Sequence, residues 1–207
     1  MGERYTVYGG AKHFFIGCTM RLLILLFLLT GCAATAQLSY DLELTLNGES
    51  IPFEVDAPAS LEGGTILLGD NQESVVVTFN GGSLELNVAD WNTFDYAHVL
   101  ATQFQRTDED TYSVSATVRH NDTGWDNYAD AFEVKGENVK NGERILLHPH
   151  ENEQPFTRSQ SGVVATGEVY IEAKDNVEGL GGSTIHIDLG YFEELEQISI
   201  AYSLTKK

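Results

Sequence analysis

Apolar side chains fall on every second residue through most of the chain. Leu38, Tyr40, Leu42, Leu44 and Leu46 alternate with polar residues, Asn47-Gly48 follows, and Ile51, Phe53 and Val55 alternate again. Side chains two apart share one face of a strand, so this is the pattern of a half-buried hairpin closed by a tight turn. The same pattern recurs in Val75–Phe79 and Leu84–Val88, on either side of Asn80-Gly81-Gly82. Tyr112, Val114, Ala116 and Val118 form another run, and residues 131–135 and 143–148 a further pair, joined through Gly136 and Asn141-Gly142. Val169, Ile171 and Ala173, then Ile185, Ile187 and Leu189, then Ile198, Ile200, Tyr202 and Leu204 complete the series. Alternation breaks down across residues 89–106, where 94–105 has room for a short helix.

About ten short strands with turn residues between them specify an all-β, antiparallel sandwich. Residues 104–190 have the length and strand count of an immunoglobulin-like domain. On this reading residues 37–103 form an additional N-terminal β-region, the boundary lies in 89–106, and 191–207 supply a C-terminal strand.

The first 36 residues depart from this pattern. Residues 22–29 are an unbroken apolar run preceded by Arg21 and followed by Thr30-Gly31-Cys32. A basic residue, a short apolar core and small residues are the signature of an export leader. Eight apolar residues are too few to span a bilayer. Met20 directly precedes Arg21 and is the expected true start. Two processing sites compete. Leu29-Thr30-Gly31-Cys32 matches a lipobox, with Cys32 lipidated; Ala34-Thr35-Ala36 matches ordinary cleavage, with Gln37 first. The position of Cys32 directly after the apolar core favours the lipobox. Such an anchor would hold the protein at a membrane surface, in the periplasm or at the outer membrane, without a spanning helix.

Charge narrows the choice of partner. Residues 1–36 carry three of the 12 basic residues and one of the 31 acidic ones, leaving nine against thirty, a net charge of −21. That field repels nucleic acid and anionic lipid. Cys18 and Cys32 are the chain's two cysteines, so the exported part has neither a disulfide nor a thiolate.

Residues 119–130 read Arg-His-Asn-Asp-Thr-Gly-Trp-Asp-Asn-Tyr-Ala-Asp, and residues 148–159 read His-Pro-His-Glu-Asn-Glu-Gln-Pro-Phe-Thr-Arg-Ser. These strings resemble a family of exported bacterial proteins with a Gly-Trp-Asp-x-Tyr-Ala-Asp stretch and a His-Pro-His-x-x-Glu-Gln-Pro-Phe-Thr-Arg-Ser stretch. The resemblance spans about residues 104–190. That family has no assigned activity, so it implies no function.

The same segment concentrates His120, His148 and His150. His148 and His150 sit two apart, at the end of the strand expected over 143–148. If the chain stays extended through Pro149, both imidazoles share one side. Such a pair can chelate Zn(II) or Cu(II), with His120 and Glu153 as further ligands and Glu151, Asp126 and Asp130 nearby. His-x-His alone is a weak signal; the plainer reading is a polar turn shaped by Pro149 and Pro155. Trp125, Tyr128 and Phe156 read first as core plugs. Their alternative use is a flat aromatic row that, with Asp126 and Asp130, holds a sugar ring. Arg158 is expected to pair with Asp126, Asp130 or Glu153 and so pin the two stretches together.

Other motifs carry less. Asp122, Asp126 and Asp130 recur every fourth residue but lack calcium-loop spacing. Gly179-Leu180-Gly181-Gly182 reads as a flexible turn, and Ser159 and Ser161 lack a nucleophile-elbow context. The sequence therefore points to a non-enzymatic binding or interaction module of the bacterial envelope, whose partner is an envelope protein or a small ligand. Metal binding through His-x-His is the alternative.

Overall fold

A computed structural model of the chain describes residues 37–207. The leader, Met20 and Cys32 lie outside the described residues. The strands are β1 (Ser39–Leu46), β2 (Glu49–Ser50), β3 (Glu54–Val55), β4 (Ser60–Glu62), β5 (Thr65–Leu67), β6 (Ser74–Phe79), β7 (Gly82–Asn87), β8 (His98–Asp108), β9 (Thr111–Arg119), β10 (Ala129–Lys135), β11 (Glu143–Ile145), β12 (Phe156–Val164), β13 (Glu168–Asp175), β14 (Thr184–Asp188) and β15 (Gln197–Lys206). One 3-10 turn, Leu189–Phe192, lies between β14 and β15.

The strands form two antiparallel sheets. One has the order β12-β9-β8-β15-β1-β5-β4, with β2 added to β1; the other runs β11-β10-β13-β14-β7-β6-β3. The alternating apolar residues of both sheets meet in one core. Leu44, Phe104, Val114 and Ile200 from the first sheet pack with Leu84, Phe132, Ile171 and Ile185 from the second. This is the all-β sandwich that the alternation specifies.

The division of that sandwich differs from the expected one. Residues 98–188 do supply seven strands, β8, β9 and β12 to one sheet and β10, β11, β13 and β14 to the other. They do not close on themselves. The free side of β8 pairs with β15, which pairs with β1, and the free side of β14 pairs with β7. Residues 37–103, 104–190 and 191–207 thus interleave in the same sheets, and Ala36–Lys207 form one compact unit.

The expected boundary is occupied by β8, the longest strand, and the short helix over 94–105 is absent. A β-bulge between Val99 and Ala101 shifts the register. The extra residue resets which side chains point inward, so period two is interrupted in sequence while pairing continues in space. The first hairpin is also shorter than expected. Asn47 (φ 49°) and Gly48 (φ 83°) make the two-residue turn between β1 and β2. Pro52 then follows, with no N–H to donate, and the chain crosses over so that β3 pairs with β6 in the other sheet.

A polar node beneath a loop surface

At one end of the sandwich the chain builds a hydrogen-bonded node from loop residues. Its centre is Asp122, whose side chain is fully buried. Oδ1 accepts from His120 Nδ1 at 2.7 Å and from the Ala129 N–H at 3.1 Å. Oδ2 accepts from the His150 N–H at 2.6 Å. One carboxylate therefore ties the end of β9, the start of β10 and the loop between β11 and β12. His120 adds two further ties: its N–H donates to Gln154 Oε1 at 3.1 Å, and its Nε2 lies 3.0 Å from the Asp95 carbonyl oxygen. Both ring nitrogens of His120 face acceptors, so the doubly protonated ring satisfies both contacts. Burial works against that cation, but the hydrogen bond and charge of Asp122 outweigh it and raise the His120 pKa. Burial would raise the Asp122 pKa, yet its bonds from His120, His150 and Ala129 hold it lowered.

A second buried pair adjoins the first. Asp90 accepts from Thr93 Oγ1 at 2.6 Å and from the Asp95 and Tyr96 N–H groups, fixing the loop before β8. Its Oδ2 lies 2.9 Å from His98 Nε2. The Ser183 N–H donates to His98 Nδ1 at 3.1 Å, which makes that nitrogen the bare one and His98 neutral. Burial lowers the His98 pKa in agreement, against the pull of Asp90. Ser183, His98 and Asp90 have the composition of a hydrolytic triad, but Ser183 is completely buried, and the trio serves as a structural polar layer. A cleft of about 550 Å³ beside it is walled by Glu73, Glu85, Asp90 and Asp95, a lining that disfavours anions.

The residues singled out in the sequence divide sharply. Phe156 is a core residue, as expected, but Trp125 is 65% exposed rather than buried. Trp125 meets the half-buried Tyr128 edge-on, at 5.7 Å and 76°, so the two rings make no flat row. Strand β11 ends at Ile145, which places His148 and His150 in the following loop. Their rings are neighbours, with centroids 4.5 Å apart. His120 and Glu153 do not join them, because His120 has committed both nitrogens and Glu153 binds Arg158 Nη2 at 3.1 Å. Among the described residues, no group of three or more His, Cys, Asp and Glu side chains is placed to hold a metal ion. Arg158 pairs with Glu153 of its own stretch rather than with Asp126 or Asp130, so the tie between the two stretches is made by Asp122 instead. Burial raises the Asp130 pKa, with the charge of Asp175 adding to it and Lys174 opposing. Asp126 lies exposed on the turn beside Trp125.

Sequence reasoning missed Asp122 and Asp90 as organising residues. The available signal was short spacing to a histidine: His-x-Asp at 120–122 and Asp90 eight residues before His98.

These features define a class: an antiparallel β-sandwich whose one end is a pinned loop surface over a buried His-Asp node. Comparison with known proteins adds one relative. Over 97 residues the chain is 34% identical to a "Putative lipoprotein" of Halomicrobium mukohataei, which covers 44% of this chain and 47% of that protein. The chain thus spans about half the length of the curated relative it matches. No protein-family model and no solved structure matches.

Proposed function

We propose that the protein is an exported, lipid-anchored, non-enzymatic binding module of the cell envelope, and that the pinned loop end contacts its partner. The observation that carries this reading is the exposure of Trp125 (65%) and Leu147 (75%) on loops whose backbones are fixed by the buried Asp122. Large apolar side chains held out on fixed loops offer anchors that a partner can bury, and rigid loops on a sandwich scaffold are common binding sites. The anchor rests on the Arg21–Cys32 pattern and on the lipoprotein name of the relative. Among the described residues no helix is long and apolar enough to cross a membrane. The net charge of the exported part directs the choice toward protein or small neutral and cationic partners, away from nucleic acid.

Envelope fractions of the producing cell, passed over the immobilised chain, test the reading. The control is a Trp125→Ala, Leu147→Ser double variant with an unchanged melting temperature. A component retained by the first and lost from the second is expected; equal retention by both contradicts the assignment of this surface.

A further inference from the structure

His150 presents an unusual situation for a folded interior. It is 2% exposed, and neither ring nitrogen has a hydrogen-bond partner. A buried polar atom left unpaired costs about 1–3 kcal/mol, so native proteins rarely leave one without a water or an ion to meet it. Its ring is clamped against Phe156, centroids 3.7 Å apart and 11° from parallel, which fixes the plane. His150 Nδ1 lies 4.0 Å from Asp122 Oδ2, beyond hydrogen-bond reach. Next to it, the exposed His148 places Nδ1 3.0 Å from the Pro149 carbonyl oxygen.

An acceptor beside Nδ1 draws the ring proton to that nitrogen and leaves Nε2 as a lone pair. His148 has this arrangement through the Pro149 carbonyl, whereas both nitrogens of the buried His150 stand unpaired. A carbonyl so placed is the kind of outer group that orients a metal-binding histidine and sets its tautomer. We infer that His148 and His150 are a two-imidazole site for a divalent transition ion, Zn(II) or Cu(II), bound through Nε2 of His148 and an unpaired ring nitrogen of His150. His148 is the exposed ligand, its ring centroid 4.5 Å from that of His150, and His150 is the buried one, stacked on Phe156. Arg158, which lies over the Phe156 ring, is paired with Glu153. The acidic field of the whole domain concentrates cations around the site. Nitrogen ligands select transition ions over Ca(II) and Mg(II).

This inference is independent of the loop-surface reading. Its test is titration calorimetry of tag-free protein with ZnCl₂ and with CuCl₂ at pH 7.5, in excess Mg(II) to occupy the diffuse carboxylates. One ion per chain is expected. His148→Ala removes an exposed side chain and keeps the fold; it should bind at least about tenfold more weakly, since even outer-shell changes cost that much. His150→Phe, which keeps the stack on Phe156, should lose the site. His186→Ala should bind as the unaltered protein does. Electron spin resonance of the Cu(II) form should show coupling to two imidazole nitrogens, reduced in the His148→Ala form. Absence of binding by the unaltered protein, or binding by His148→Ala with the same affinity and stoichiometry, would overturn the inference.

Discussion

Three donors from three separate stretches meet on the carboxylate of Asp122, inside the protein. An amide in its place offers one acceptor oxygen and turns two N–H donors toward donors already there. Asp122→Asn should therefore cost about 3–5 kcal/mol, the scale for breaking a buried charged pair. Asp126→Asn, on the exposed turn four residues on, should stay within about 0.5 kcal/mol. Urea unfolding of both variants checks the pair, and similar costs would remove Asp122 from the centre of the node. His98 gives a pH effect with a definite sign. Its folded-state pKa lies below the ordinary value, so its contribution is present above pH about 6.5 and is lost as pH falls through the folded value. His120 is shifted the other way; its contribution is present below pH about 6.5 and is lost as pH rises through its own folded value. Stability measured from pH 7 to 5 should fall less steeply for His98→Gln than for the unaltered protein. An identical slope would mean that His98 is not held neutral. These roles were only half legible. His148 and His150 stand out as a spacing, and the structure brings their rings together. Asp122 carries only the weak His-x-Asp spacing, because two of its three donors are backbone N–H groups that any sequence would supply.

Among the elements, the strands found from alternation are those with one clean buried face, such as β6, β7, β9 and β13. Those missed have a physical interruption. Strand β8 carries the bulge after Val99, and β12 carries another between Gln160 and Val163, on a sheet edge where polar side chains are tolerated. The Gly179–Gly182 stretch reads as a flexible turn, but its last two glycines are packing residues. Gly181 lies under the Tyr96 ring, and a Cβ on Gly182 would run into the Ala97 carbonyl. That contact holds Ser183 against His98. Gly182→Ala should lower stability by about 1–3 kcal/mol, the usual cost of overpacking. Thermal unfolding reads the change; an unaffected melting temperature would mean that the β13–β14 connection yields easily.

For the whole molecule, one core shared by two sheets explains why no boundary divides the described residues 37–207. Strands β1 and β7, from the first half of the chain, pair with β15 and β14 near its end. The sequence shows strands but not their partners, because alternation names a face and not a neighbour. Thirty acidic residues against nine basic ones in residues 37–207 place strong self-repulsion on this compact body. Salt at about 0.1 M screens charges beyond about 10 Å, so added sodium chloride should raise the melting temperature. A steady fall would contradict that account. The same charge suits the proposed lipid anchor rather than attraction to head groups. The central claim, an exported module anchored at Cys32, is tested most directly by the mass of the N-terminal peptide after production with its own leader. The account predicts a chain beginning at Cys32 and carrying lipid. A chain beginning at an unmodified Gln37, or one that keeps the apolar run of residues 22–29, would contradict it.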